Sequence, residues 1–395
     1  MQTVVTIIPR RSEVIRAHKS RGGRVAAVLP IHYPRALFRA FDILPVEVWG
    51  PPNVDSTLGA AHLQPYVCSI ARNALAFLLS GGLDETDFIV VPHACDSLQG
   101  FASILIDFIH PRQPVLPIYL PRGDRATHLQ FLTDEFRALY RQLAAITSRT
   151  PSDADLMTCI AREEDADALL ADLHARLRVG ANGSLPLREM YRVIRSREYL
   201  SAETFLSLRG AQFATKQSPS ELGIPFDYTQ GMASQSSLAM TSEQSRPDGG
   251  IPIILSGIVP EPMGIFDAIE KMGGIVVADD FACCGRRLYP RGTSSAPFTR
   301  MAERIINAPA DSTRDVPIRA RLDHLTRLAH ASGAKGIVFY DVKFCEPELF
   351  YLPALRHGLQ DAGIQSIAIE VDLNDQLPQQ ALTRLEAFLE MVSRL

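Results

Sequence analysis

One short pattern occurs twice in this chain and limits what the chain can fold into. The pattern is an apolar, β-branched run, then a cysteine, then the start of a helix, and it appears in DFIVVPHACDSLQG (87–100) and GIVFYDVKFCEPELF (336–350). Such runs predict buried strands, and in an open α/β sheet the loop after a strand's carboxyl end is where ligands bind. Cys95 and Cys345 therefore occupy loop positions that suit chemistry.

Alternating strand and helix patterns cover most of the chain and divide it into three parts. Residues 1–150 and residues 251–395 follow the same order of predicted strands, proline turns, cysteine loops and helices. This order predicts an α/β fold with two flavodoxin- or Rossmann-like, doubly wound lobes in pseudo-repeat. Residues 151–250 are predicted to be a helical region followed by a linker, because the segment 211–250 is rich in Ser and Gln and lacks periodicity. No motif assigns a role to that linker.

The bulk composition excludes several classes of protein. A chain of 395 residues is too long for one ordinary core, and 46% hydrophobic with 21% charged residues is typical of globular proteins. The net charge of -4 gives no basic field for nucleic acid. No apolar run approaches the roughly 20 residues of a membrane span, and the N-terminus does not resemble a secretory signal. We therefore expect a cytoplasmic protein that binds neither nucleic acid nor membranes.

The cysteines are the residues that most strongly indicate which kind of functional site the protein has. The absence of a Cys-x-x-Cys motif disfavours zinc ribbons and thioredoxin-like sites, and a disulfide scaffold would be shorter and denser. A catalytic thiol would need a base, and nothing in the sequence pairs His62, His93 or His324 with a cysteine. Thiolates gathered from separate loops suit an iron–sulfur cluster. The six cysteines are Cys68, Cys95, Cys159, Cys283, Cys284 and Cys345.

The order of strands and helices is the same in the two lobes, so the loops that hold these cysteines can be paired between the lobes. The loop of Cys95 matches the loop of Cys345, and the loop of Cys68 matches the one that holds Cys283 and Cys284. If the lobes face each other, these four loops line one cleft. Cys159 lies within a helical pattern instead, and we expect it to be an ordinary buried residue.

Several segments together resemble a known family. They are YVCSIARN (66–73), VPHACDSLQ (91–99), VVADDFACCGRR (276–287), VKFCEPELF (342–350), AGIQSIAIEVD (362–372) and TRLEAFLE (383–390). With these segments the chain resembles the iron–sulfur subunits of 2-hydroxyacyl-CoA dehydratases, of the 2-hydroxyglutaryl-CoA dehydratase D-component type, and of benzoyl-CoA reductases. The resemblance implies two flavodoxin-like domains and a 4Fe-4S cluster held by Cys68, Cys95 and Cys345. It also implies three partners: a paralogous second subunit in a heterodimer, an ATP-hydrolysing iron–sulfur activator and a CoA thioester substrate.

The resemblance implies a mechanism as well. A low-potential electron would enter the thioester carbonyl and give a ketyl radical, and elimination of water would follow. An iron without a fourth protein ligand could act as a Lewis acid on the carbonyl oxygen. The sequence leaves two alternatives open: a benzoyl-CoA reductase subunit, which reduces an aromatic ring, and a non-catalytic two-lobed binding or electron-relay protein.

The loop that follows the second strand of the second half departs from the family pattern. It carries adjacent Cys283 and Cys284, where the family usually has one cysteine or none. Cys284 is a candidate fourth metal ligand, and the alternative is that both thiols are structural. Arg286 and Arg287 follow in the same loop and are candidates for binding CoA phosphates.

Two further candidates lie at the ends of the first two predicted strands. His32 and Glu47 occupy positions where a proton donor or a hydrogen bond to substrate would be placed, and we assign them as candidate catalytic residues.

Overall fold

A computed structural model describes residues 8–51, 53–123, 125–178, 186–212 and 250–395. The predicted linker, 211–250, lies almost entirely outside the described residues. Within them the protein is an α/β fold with two parallel sheets of four strands each, as the sequence predicts.

The first lobe contains a sheet in the order β2-β1-β3-β4. Parallel strands need helical crossovers that cover the sheet, and β3 is accordingly buried at all five positions. The strands are β1 (Arg24–Val28), β2 (Ile43–Glu47), β3 (Phe88–Pro92) and β4 (Val115–Ile118). The helices are α1 (Arg11–Lys19), α2 (Arg35–Ala40), α3 (Ser69–Leu79), α4 (Asp96–Ile104) and α5 (His128–Thr147).

The second lobe repeats this topology in the order β6-β5-β7-β8. The pseudo-repeat predicted from element order is therefore confirmed, with the first strand of each lobe lying between the second and the third. The strands are β5 (Ile251–Gly257), β6 (Gly274–Phe281), β7 (Gly336–Val342) and β8 (Gln365–Val371). The helices are α9 (Gly264–Lys271), α10 (Pro297–Ile306), α11 (Ile318–Ser332), α12 (Glu346–Asp361) and α13 (Gln379–Ser393).

A helical region joins the two lobes. It consists of α6 (Asp153–Arg178), α7 (Leu187–Ser196) and α8 (Ala202–Gln212). Tyr191 of α7 stacks on Phe266 of the second lobe with ring centroids 4.2 Å apart. His174 of α6 places Nδ1 2.9 Å from Oδ2 of Asp279 on β6. Because one hydrophobic core runs through both lobes and these helices, the lobes pack as one body.

One detail differs from the sequence prediction. Residues 1–22 show no core pattern, yet Arg11–Lys19 forms α1, whose Val14 and Ile15 pack against the cluster that contains Val46 of β2. Cys68 lies immediately before α3, which begins at Ser69. Cys68 therefore has the same local position as Cys95 and Cys345.

Candidate functional site

Three cysteines occupy the same place relative to three different helices. Cys68, Cys95 and Cys345 are the N-cap residues of α3, α4 and α12. Cys95 follows β3 and Cys345 follows β7, the equivalent strand of the second lobe. Since the carboxyl ends of parallel strands meet at one edge of a sheet, this placement brings residues distant in sequence to one edge of each lobe.

The three thiols are close enough to influence one another. Burial raises the pKa of Cys95 to about 12, and the next cause is the nearby Cys68. Burial also raises the pKa of Cys345, with further increases from Cys68, Glu348 and Cys95. The first lobe therefore contributes two thiols, and the second lobe one, to a single group of sulfur atoms, which we call the thiol triad.

Helix N-termini counteract the cost of negative charge at the triad. Backbone N–H groups of the first helical turns lower the pKa of each thiol, although burial is the larger effect in all three cases. A helix N-terminus carries a partial positive charge, and each triad cysteine caps one. The helix N-termini thus reduce the cost of thiolates at the triad without removing it.

Contacts with the second lobe fix the helix that carries Cys68. The side chains of Asn73 and Asn374 exchange two hydrogen bonds, of 2.9 and 3.0 Å. The preceding residue, Arg72, donates to Asp372 at 2.7 Å. The position of Cys68 therefore depends on both lobes.

A glycine lets the chain after β2 pass close to the start of α3. Gly50 has a φ of +70°, and an added Cβ there would lie 2.7 Å from the Cα atom of Ile70. Both the backbone conformation and the lack of space favour glycine at this position. The close approach brings the end of β2 next to the helix that Cys68 caps.

Cys283 and Cys284 form a separate pair. Their sulfur atoms lie 3.3 Å apart, and both residues are buried. After burial, the main influences on the pKa of Cys284 are Cys283, Asp279 and Arg195, and no triad cysteine is among them. The structure thus places Cys284 with its neighbour rather than with the triad, and its role as a fourth ligand stays a prediction.

Glu47 lies at the centre of a buried hydrogen-bond network. Its carboxylate accepts two bonds of 2.6 Å from Arg287, one of 2.9 Å from Tyr33 and one of 2.9 Å from Trp49, and it also pairs with Arg35. Burial alone would raise the pKa of Glu47, but the charges of Arg287 and Arg35 outweigh burial and lower it to about 2. A carboxylate held in this way stays ionised and positions its neighbours.

His32 lies on the same seam between the lobes. Its Nε2 atom is 3.3 Å from Oδ2 of Asp311, and its Nδ1 atom is 3.4 Å from the hydroxyl of Tyr289. Burial lowers the pKa of His32, against the opposing effect of Asp311. The lowered pKa favours the neutral imidazole near pH 7.

Arg286 is fully buried among acids. It donates to both oxygens of Glu348, at 2.6 and 2.9 Å, and lies 3.3 Å from Asp280 and 3.4 Å from Asp311. Arg286 and Arg287 both use their guanidinium groups in internal ion pairs, so neither is exposed in this arrangement. Their binding of CoA phosphates stays a prediction.

Three buried acids near these groups were not singled out by the sequence. Glu348 lies in the first turn after Cys345, Asp311 pairs with His32, and both oxygens of Asp341 lack a hydrogen-bond partner among the described residues. The position of Glu348, three residues after a candidate ligand, was a usable signal. The other two depend on contacts between distant segments, which the sequence does not show.

A groove of about 750 Å³ lies on the α1 side of the first sheet. Its lining includes the apolar residues Val46, Val48 and Trp49 and charged residues such as Arg192 and Arg195. Arg195 also interacts with Cys283, so this groove reaches the neighbourhood of the cysteine pair.

Similarity to known proteins adds to this geometry. The family model described as 2-hydroxyglutaryl-CoA dehydratase, D-component, matches residues 30–392. The chain belongs to this family. The predicted resemblance is therefore confirmed.

Three curated relatives align over most of the chain. The (R)-phenyllactyl-CoA dehydratase beta subunit of Clostridium sporogenes is 24% identical, covering 97% of this chain and 96% of its own length. The beta subunit of lactoyl-CoA dehydratase from Anaerotignum propionicum is 24% identical, with coverages of 95% and 94%. A benzoyl-CoA reductase subunit of Thauera aromatica is 22% identical, with coverages of 88% and 85%. All three relatives are enzyme subunits, and this family member is accordingly an enzyme subunit.

Two features are missing from the part of the chain that the structure describes. None of the described helices is both long and apolar enough to cross a membrane. Across the same residues, no group of three or more His, Cys, Asp or Glu side chains is arranged to hold a metal ion.

Proposed function

We propose that this chain is the iron–sulfur subunit of an ATP-activated 2-hydroxyacyl-CoA dehydratase. The reaction is the one-electron reduction of a CoA thioester to a ketyl radical, followed by elimination of water. The observation that carries the proposal is the thiol triad, in which two lobes contribute cysteines from three helix N-termini. The names of the relatives support the substrate class, because those relatives include phenyllactyl-CoA and lactoyl-CoA dehydratase subunits.

The triad fits a 4Fe-4S cluster by the chemistry of its donors. Iron–sulfur clusters are held by cysteine thiolates, and Cys68, Cys95 and Cys345 supply three. A cluster offers a separate iron to each thiolate, so its ligands lie farther apart than the ligands of a single ion. The influence of Cys68 and Cys95 on the pKa of Cys345 supports the grouping of the three thiols. When bound, such a cluster would supply electron transfer at low potential.

The protein's own groups would hold this site closed and dry. The Arg287–Glu47 and His32–Asp311 pairs join the lobes on one seam, and all four side chains are buried. Burial and hydrogen bonds around sulfur are the means by which proteins adjust cluster potentials. We assign Glu47 a positioning role, and we assign His32 as the neutral group able to hold a proton.

The partners follow from the same family membership. Each relative is named as one subunit of its enzyme, and we propose that this chain likewise works with a paralogous second subunit. We further propose that an ATP-hydrolysing iron–sulfur activator supplies the electron and that the complex is cytoplasmic.

The second candidate is a subunit of a benzoyl-CoA reductase, which the match to the Thauera aromatica protein favours. One assay separates the two candidates. The chain, its paralogous subunit and the activator from the same genome are combined anaerobically with ATP and offered 2-hydroxyacyl-CoA thioesters or benzoyl-CoA. Mass spectrometry of the CoA products shows loss of water for a dehydratase and gain of hydrogen for a reductase. An iron-loaded complex that converts neither class of substrate would contradict both proposals.

A further inference from the structure

The pair of adjacent cysteines after β6 has no part in the proposed reaction. Cys283 and Cys284 are free thiols whose sulfur atoms lie 3.3 Å apart. A disulfide bond is about 2.05 Å long, so the two sulfurs need to approach by little more than an ångström to bond. The side chains already face each other, which is unusual for neighbouring residues unless the backbone turns sharply between them.

The backbone does turn at this point. Cys283 N–H donates to the carbonyl of Ile258, and Cys284 N–H donates to the carbonyl of Phe281, three residues earlier. The carbonyl of Cys284 then accepts from the N–H of Arg287 at 3.1 Å. The cysteine pair and Arg287 therefore belong to one hydrogen-bonded turn.

The same turn holds the two lobes together. Arg287 donates both of its terminal nitrogens to Glu47 of the first lobe. Glu47 in turn accepts a hydrogen bond of 2.9 Å from the indole of Trp49, the one tryptophan in the sequence. A change in the geometry of the cysteine turn would thus reach Trp49 through two hydrogen-bonded contacts.

A charged side chain lies beside the pair. Burial lowers the pKa of Arg195, but Glu198 and Cys283 outweigh that effect and raise it, so the guanidinium is a neighbour of Cys283. Arg195 also lines the 750 Å³ groove, and this side chain is therefore shared by the groove and the surroundings of the cysteine pair.

We propose that Cys283 and Cys284 are a redox-modification site, a vicinal dithiol that peroxide-class oxidants convert to a reversible disulfide and that thereby disturbs the Arg287–Glu47 contact. Hydrogen peroxide oxidises the Cys283 thiol to a sulfenic acid and releases one water. The sulfur of Cys284 then attacks that sulfur, the S–O bond breaks, and a second water leaves with the Cys284 proton. Two thiols are oxidised and one peroxide is reduced to two waters.

The disulfide would be readily reversed because it is strained. Neighbouring Cα atoms are about 3.8 Å apart, whereas disulfide-linked Cα atoms usually lie about 4.4 to 6.8 Å apart. Strained disulfides have higher reduction potentials and are the labile, regulatory ones. A dithiol reductant should therefore restore the reduced pair.

Peptide mass spectrometry tests the covalent step. Trypsin releases residues 272–286, which contain Cys283 and Cys284 and no other cysteine. After peroxide treatment of the full chain and alkylation under denaturing conditions, we expect most of this peptide to lack two hydrogen atoms and to carry no alkyl group. Dithiothreitol should return it to the doubly alkylated form. A peptide that stays doubly alkylated, or that carries only sulfinic or sulfonic acid, would overturn the proposal.

Trp49 fluorescence tests the structural consequence. Peroxide should change the emission reversibly in the wild type and in the control Cys159→Ser, and should leave Cys283→Ser and Cys284→Ser unchanged. Thermal melting of each reduced variant shows that it is folded before the comparison. An equal change in the two vicinal variants would mean that the oxidant acts elsewhere and would overturn the proposed link to Glu47. Neither readout depends on the identity of the CoA substrate or on turnover.

Discussion

Arg287 of the second lobe donates two hydrogen bonds of 2.6 Å to the carboxylate of Glu47 in the first lobe. The two residues are 240 positions apart in sequence, and their side chains are 6% and 0% exposed. A buried, bidentate pair of this kind fixes the relative orientation of the elements that carry it, here the end of β2 and the turn after β6. The pair therefore joins the two lobes directly.

Removing one partner of the pair should destabilise the fold strongly. Arg287→Leu leaves Glu47 buried with less compensation, and breaking a buried ion pair costs about 3 to 5 kcal/mol. The exposed, single-turn pair of Arg319 and Asp323 provides a matched control, because Arg319→Leu should cost less than about 1 kcal/mol. Urea unfolding of both variants measures the difference. Equal costs would show that the seam does not depend on Arg287.

Glu47 should make the free energy of unfolding depend on pH in the acidic range. Its pKa is lowered from 4.5 to about 2, so the folded state favours the ionised form. This contribution is complete above the unfolded value near 4.5 and is lost as the pH falls towards 2. The free energy of unfolding should therefore differ between the wild type and Glu47→Gln at pH 7, and by less at pH 3. A difference that does not change with pH would refute the assignment.

Asn73 should control how firmly Cys68 is held. Asn73→Ala removes both hydrogen bonds to Asn374 and leaves that amide without its partner, at a cost of about 1 to 3 kcal/mol. Because Cys68 is the N-cap residue of α3, we also expect the anaerobically purified variant to retain less iron than the wild type. Asn307→Ala, at an exposed position, is the control and should match the wild type in both measurements. Full iron retention in Asn73→Ala would show that the contact between Asn73 and Asn374 does not affect iron binding.

Asp341 should be protonated in the folded protein. Burial, and then the charge of Glu348, raise its pKa well above 3.8. The unfolded chain ionises above that value while the folded chain does not, so this residue lowers stability progressively as the pH rises. Asp341→Asn removes the effect, and its stability relative to the wild type should increase between pH 4 and pH 7, by up to about 1.4 kcal/mol per pH unit. Chemical unfolding across that range decides the point, since an Asp341 that is ionised in the folded state would give a stability difference that does not change with pH.

The sequence predicted the parts of this structure that depend on local pattern. Strands β3 and β7, the repeat of the lobes and the loop positions of Cys95 and Cys345 follow from apolar runs and from the residues that end them. Helix α1 was missed because it contributes few buried side chains, and His18 is its one buried residue. Short elements that cover a sheet margin lack the periodic pattern that sequence analysis relies on.

The contacts between distant charged residues could not be predicted for a different reason. Arg286 pairs with Glu348, 62 residues away, and Arg287 pairs with Glu47, 240 positions away. A single sequence shows which residues carry charge but not which charges meet. The internal partners of these two arginines are therefore visible only in the fold.

The central claim is that Cys68, Cys95 and Cys345 hold one iron–sulfur cluster between the lobes. Anaerobic purification followed by iron and acid-labile sulfide determination tests it most directly, with Cys159→Ser as the control. We predict about four irons in the wild type and in the control, and loss of most of the iron in Cys68→Ser, Cys95→Ser and Cys345→Ser. Wild-type iron and sulfide in those three folded variants would contradict the account.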